Sequence, residues 1–150
     1  ALCVINSMAA ESSKDLVSWF DAPPGEIAEY LDDTVQDVLD SPIEYWQELA
    51  AHWASQSKGW KNTASSILDR LDDRRRTILL RELLKTTSVE DCTTVTTLVS
   101  QLDCAALPSD LQNEVRDFLS RKWAQLPEQR RYIEVACKAC GLKVRFAHGA

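Results

Sequence analysis

The sequence predicts an all-α protein, and three observations carry that expectation. Apolar residues recur at steps of three and four along most of the chain. Helix-start signatures such as "SPIE", "SVED" and "LPSDLQ" stand directly before the periodic runs. The segments between runs are short, which implies antiparallel neighbours. With 150 residues, 45% of them hydrophobic, the chain suits one domain, residues 1–150, able to bury ~70% of the surface its unfolded form exposes. Six to eight antiparallel helices of roughly 10–17 residues are expected, as a compact bundle or a short HEAT-like helical solenoid. Residues 1–10 are expected to be disordered and 142–150 to form an extended tail.

Each element has its own signals. Ser12 or Ser13 precedes "KDLVSWF", a short amphipathic run that "DAPPG" ends, because Pro23 and Pro24 forbid continuation and Gly25 loosens the turn. Ile27, Leu31, Val35, Val38 and Leu39 then recur at helical spacing. In "SPIE", Ser41 caps, Pro42 takes the first helical position, and Glu44 bonds back to the Ser41 amide. The helix so opened carries Ile43, Trp46, Leu49, Ala50 and Trp53 on one stripe and ends at Gly59, a left-handed cap. Trp46, Trp53 and Trp60 are spaced by seven. The predicted cap puts Trp60 outside the helix, so the repeat is read as coincidence and the stripe as core.

Asn62 or Thr63 starts the next run, with Ile67, Leu68 and Leu71 inward. A break near Asp72–Asp73 precedes Ile78, Leu79, Leu80, Leu83 and Leu84, with one continuous helix as the alternative. Ser88 caps a helix whose first turn holds Glu90 and Asp91. Its body, "CTTVTTLVSQL", is rich in β-branched residues and has strand propensity. Its apolar positions Cys92, Val95, Val99 and Leu102 step by three or four, so a helix is predicted. Ser109 with Gln112 makes a capping box before Leu111, Val115, Phe118, Leu119 and Trp123. "LPEQ" opens the last helix, carrying Tyr132, Ile133, Ala136, Cys137 and Cys140, and Gly141 stops it. The starts Ser41, Ser88 and Pro127 are 47 and 39 residues apart, near the length of a HEAT-type helix pair.

Charge is distributed unevenly. Residues 1–69 carry three basic and twelve acidic side chains, residues 70–115 six and eight, and residues 116–150 eight and three. The acidic end repels nucleic acid, and the basic end tolerates acidic surfaces. With a pI near 4.9, nucleic acid is not expected as the main partner, since affinity there rests on neutralising phosphates. No run approaches the ~20 apolar residues of a membrane helix, so no membrane partner is expected. "ALCVINSM" lacks the basic flank of a signal peptide, and the Ala1 start suggests a processed chain or an excised fragment. Five cysteines without framework spacing point to a reducing intracellular compartment: cytoplasm, nucleus, or an organelle entered by a processed form.

Chemistry-bearing patterns are few. "CKACG" resembles half a zinc knuckle, and Cys137, Cys140 and His148 supply three ligands where tetrahedral zinc takes four; Cys92, Cys104 or further chain would complete it. The competing expectation is that Cys137 and Cys140 belong to the core beside Ile133 and Ala136. Redox use of this pair ranks last, because it lies at the negative C-terminal end of its helix. His52, near Tyr45 and Glu48, is the one place where a small helical enzyme would keep a base, but no Ser or Cys nucleophile is local to it. Gly25, Gly59, Gly141 and Gly149 make no phosphate-binding loop. The adjacent carboxylates Asp32–Asp33 and Asp72–Asp73 point in different directions on a helix.

"DDRRR" pairs its own charges. "SRKW" and "QRRY" place Arg121, Lys122, Trp123, Arg130, Arg131 and Tyr132 around the last helix–helix turn, a basic-aromatic set suited to another protein. The expected function is therefore a non-enzymatic interaction or adaptor module. It takes an acidic or amphipathic helical segment of a partner and needs no cofactor. A zinc-stabilised domain and a small enzyme are the alternatives.

Overall fold

The computed structural model describes residues 13–21, 32–86 and 88–146. Among these are eight α-helices and no strand. In chain order they are α1 (Ser13–Trp19), α2 (Asp32–Leu39), α3 (Ile43–Ala51), α4 (Lys58–Ser65), α5 (Asp73–Leu83), α6 (Val89–Gln101), α7 (Ser109–Gln125) and α8 (Arg130–Cys140). Single 3-10 turns stand at Trp53–Ser55, Leu68–Arg70, Cys104–Ala106 and Pro127–Gln129. The all-helical expectation holds. The expectations at residues 1–12, Pro23, Pro24, Gly25, Ile27, Leu31 and His148 lie outside the described residues. Backbone contacts gather the chain into two compact units, Ala1–Leu79 and Leu80–Ala150, with the boundary inside α5.

The first unit is organised around aromatic rings. Phe20, at the end of α1, meets Trp19 at 5.2 Å, Trp60 at 5.6 Å and Trp46 at 6.3 Å, each edge to face. Trp53 meets Trp60 the same way at 5.1 Å. Edge-to-face contact suits the ring quadrupole and adds ~0.5–1.5 kcal/mol per pair beyond the area buried. The Trp60 indole N–H donates to the Val17 carbonyl at 2.8 Å, so this ring is buried without losing its polar bond.

Several expectations fail here, for local reasons. The tryptophan helix ends at Ala51, so Trp46 and Trp53 do not share it. The His52 carbonyl at its end is taken by the Ser55 hydroxyl at 2.9 Å and the Gln56 amide at 3.3 Å, bonds that compete with another helical turn. Gly59 is not a left-handed cap. It sits in the first turn of α4, whose N-cap is Ser57 accepting from the Trp60 N–H at 3.1 Å, and Asn62 and Thr63 lie inside that helix. Trp60 is therefore helical and joins the aromatic cluster. Ser41 does not cap α3 either: Pro42 holds that position, and Ser41 is buried with its hydroxyl unpartnered. At nine and eight residues, α3 and α4 are also shorter than predicted.

The predicted break before α5 is real. Leu71 is extended, and the Asp72 carboxylate accepts from the Arg75 N–H at 2.8 Å. Arg75 also pairs with Asp72 through its guanidinium and donates to the Ser41 carbonyl at 2.7 Å. Arg76 donates to the Leu68 and Asp69 carbonyls at 3.1 and 2.6 Å and pairs with Asp73. Two of the three consecutive arginines are thus clamps on backbone carbonyls.

In the second unit, α6 is a helix as its periodicity predicts, capped by Ser88 accepting from the Asp91 N–H at 3.1 Å. Its hydroxyls turn inward on the backbone: Thr96 and Thr97 donate to the Thr93 carbonyl, and Ser100 to that of Thr96. These i−3 and i−4 bonds occupy three of the hydroxyls on the helix itself, while the Thr93 hydroxyl reaches Gln129 Oε1 at 3.2 Å. The most extensive helix contact described joins α6 to α8, passing over α7 in sequence. Small buried residues allow it, with Cys92, Val95 and Val99 on α6 and Ala136 and Cys140 on α8. Gly141, at φ 75°, ends α8 as predicted, and Leu142 is buried beyond it. Ser109 does not form its capping box. Pro108 is the N-cap of α7, and the Gln112 amide donates back to the Ala105 and Leu107 carbonyls at 3.0 and 2.8 Å.

Candidate functional site

The six residues expected to form one basic-aromatic surface occupy four different environments. Lys122 points inward. The buried stripe of α7 runs Leu111, Val115, Phe118, Lys122, so position 122 takes the place expected for Trp123. Lys122 is 5% exposed, its Nζ 5.6 Å from the Phe118 ring centroid and 3.5 Å from Gln125 Oε1. Its aliphatic stem accounts for the burial, and the charge is not offered to a partner. Arg121, its neighbour on α7, is exposed.

Trp123 and Arg130 meet. The Arg130 guanidinium lies 5.0 Å from the Trp123 ring centroid, and its Nε donates to the Trp123 carbonyl at 2.9 Å. Phe146 stacks on the same indole at 4.2 Å with the planes 18° apart. Two further bonds fix the approach of Phe146. Arg116 Nε donates to the Lys143 carbonyl at 3.3 Å, and the Ser120 hydroxyl donates to that of Arg145 at 3.2 Å. Arg116, Ser120 and Trp123 share one face of α7, and residues 142–146 run along it. Sequence reading missed Phe146, although Leu142, Val144 and Phe146 alternate with Lys143 and Arg145 as an extended segment on a surface would.

Arg131 and Tyr132 face an open groove of about 570 Å³, together with Val135 on α8 and Thr96, Thr97, Ser100 and Gln101 on α6. Tyr132 is 53% exposed and Val135 56%, two of the three large apolar side chains most open to solvent among the described residues. Gln101 Oε1 is shielded from solvent without a hydrogen-bond partner. No His, Cys, Asp or Glu lines the groove. The α6 side of the groove had no sequence signal, because nothing in "TTVTTLVSQ" tells which hydroxyls end beside α8.

The alternative sites are placed as follows. Cys140 is buried and Cys137 half-buried on α8, while His148 lies outside the described residues. Among the described residues no group of three or more His, Cys, Asp or Glu side chains is arranged to hold a metal ion. His52 is 62% exposed at the end of α3, with Nε2 3.6 Å from Glu48. No described helix is long and apolar enough to cross a membrane.

Fold and groove together describe an all-helical chain with a cation, a phenol and an aliphatic ridge presented along one helix pair. Comparison with known protein families, curated proteins and solved structures gives no match.

Proposed function

We propose that this chain is a non-enzymatic interaction module whose α6–α8 groove takes an acidic, amphipathic helical segment of another protein. The observation that carries the proposal is the composition of the groove wall. Tyr132 and Val135, three residues apart on α8, form an exposed ridge onto which an apolar helix face packs. Arg131 stands beside that ridge for a partner carboxylate. The same reading assigns no cofactor, places the protein in a reducing intracellular compartment, and takes antiparallel helices in a bundle or short HEAT-like solenoid as the scaffold. Arg121 and the Arg130–Trp123 pair extend the cationic surface; Lys122 has no part in it.

Selection of displayed helical peptides against the full chain tests the proposal. Enriched sequences should combine Asp or Glu with apolar residues at three- and four-residue spacing. Arg131→Glu and Val135→Asp should each weaken binding of the best peptide about tenfold or more, with helical circular dichroism unchanged, and binding should weaken as salt rises. Enrichment of basic peptides, or binding indifferent to both substitutions, would reject the groove as the docking surface.

A further inference from the structure

The hydroxyls on the α6 side of the groove have a fixed polarity. Thr97 Oγ1 lies 3.0 Å from the Thr93 carbonyl oxygen and Ser100 Oγ 2.8 Å from that of Thr96. A carbonyl oxygen carries no hydrogen, so in both bonds the hydroxyl donates, and its one hydrogen is spent inside α6. What Thr97, exposed, and Ser100, half-buried, offer to the groove is oxygen lone pairs. The two positions are about one helical turn apart, so their oxygens form a short row of acceptors. Thr96 is bonded the same way and buried, and the Gln101 carboxamide holds both donors and an acceptor, so neither changes that preference. The α8 side is the opposite. Arg131 brings donors and a positive charge and has nothing to accept with.

We propose that the groove selects its guest by the two flanks of the bound helix: a carboxylate on the flank facing α8, and a neutral N–H donor, the carboxamide of Asn or Gln, on the flank facing α6. This selectivity rests on the docking role proposed above for the groove, and adds which side chains the guest carries and where. An acid facing α6 meets lone pairs, or forces the hydroxyls to give up their helix bonds in order to donate to it. A carboxamide supplies two N–H donors without disturbing either bond, enough for Thr97 and Ser100 together. A lysine or arginine there also donates, but its charge shares the groove with Arg131 and is repelled. The guest's apolar stripe, packed on Tyr132 and Val135, lies between the flanks. Positions on opposite sides of such a stripe are about 140–160° apart, which at ~100° per residue places acid and amide two or five residues apart. Acid and amide at a spacing of three, four or seven share a flank and do not satisfy both walls.

Three designed helical peptides of equal length, each with a leucine stripe, test this by fluorescence anisotropy against the full chain. The first carries Glu on one flank and Gln on the other, the second Glu on both, the third Glu and Lys. The Glu–Gln peptide should bind about tenfold more tightly than Glu–Glu and about threefold more tightly than Glu–Lys. Thr97→Val combined with Ser100→Ala removes both oxygens with little change of shape and should abolish the preference for Glu–Gln over Glu–Glu. Arg131→Glu should weaken both of those peptides. If the double variant fails to fold, Thr97→Val alone, at an exposed helix position, should cut the preference about threefold. Equal affinity for Glu–Gln and Glu–Glu, tighter binding of Glu–Lys, or a preference that survives loss of the oxygens would overturn the selectivity and leave the docking role standing. Failure of all three peptides to bind would reject the docking role, and the selectivity with it.

Discussion

Residues 1–79 and 80–150 both bury an apolar interior, yet they fill it with different chemistry. The first unit spends its rings inside, where Trp19, Phe20, Trp46, Trp53 and Trp60 are all buried. The second builds its interior from leucine, valine, isoleucine, thiols and one ring, Phe118, and leaves Trp123, Tyr132 and Phe146 at or near the surface. Charge follows the same division, with seven basic against fourteen acidic side chains in residues 1–79 and ten against nine in 80–150. A ring inside supplies packing; a ring at the surface beside an arginine supplies recognition. The residues assigned to recognition under the proposed function therefore lie where the core did not use its aromatics.

The most severe way to break the contrast is at its centre. Phe20 touches three tryptophans, and Phe20→Ala should cost about 3–5 kcal/mol of stability, since removing a buried ring leaves a cavity. Urea titration followed by tryptophan fluorescence measures it, and a loss under ~1 kcal/mol would mean the ring cluster is not the organising core.

Alkaline pH sharpens the comparison from the other side, because the four described cysteines all lie in residues 80–150. Burial raises the thiols of Cys92 and Cys137, and Cys140 together with burial raises that of Cys104, so these stay protonated when folded and ionise when unfolded. Their stabilisation is complete below the ordinary thiol pKa of 9.0 and is lost as pH climbs above it. Cys140 is lowered instead. Its contribution grows on approaching 9.0 and is constant above, so it does not oppose the loss. Stability should fall from pH 9 upward, with a slope approaching ~1.4 kcal/mol per pH unit for each such thiol. Cys92→Ala should flatten the slope, and an unchanged slope in that variant would remove Cys92 from the account.

The smallest effects come from two glycines, one in each unit. Gly59 is helical, and a methyl group there meets nothing within 4 Å, so Gly59→Ala should stabilise by ~0.4–1 kcal/mol. Gly141 has φ 75°, and Gly141→Ala should destabilise by ~1 kcal/mol although it too has open space around it. Thermal melts of the pair decide the matter. Destabilisation by Gly59→Ala would restore the left-handed cap that the sequence suggests.

Several parts of this picture were legible in the text. The helical identity of the threonine-rich α6, its Ser88 cap, the break before α5 and the Gly141 stop all rest on local bonds that a reader can pair by spacing alone. The candidate site was half legible. Of the residues the sequence singled out, Arg131 and Tyr132 line the groove and Lys122 is buried, while Val135, Phe146 and the α6 hydroxyls carried no signal. The inward step of Lys122 follows from the sequence Leu111, Val115, Phe118, and the attraction of Trp123 as an apolar residue obscured it.

By itself the sequence determined where helices form and which faces are oily, because those depend on interactions within about four residues. Only the tertiary structure decided that α6 packs on α8 rather than on its neighbour, and that Phe20 gathers Trp46 and Trp60. Such contacts link residues dozens of positions apart, and their choice depends on side-chain volumes fitting together in space, which no periodicity along the chain records.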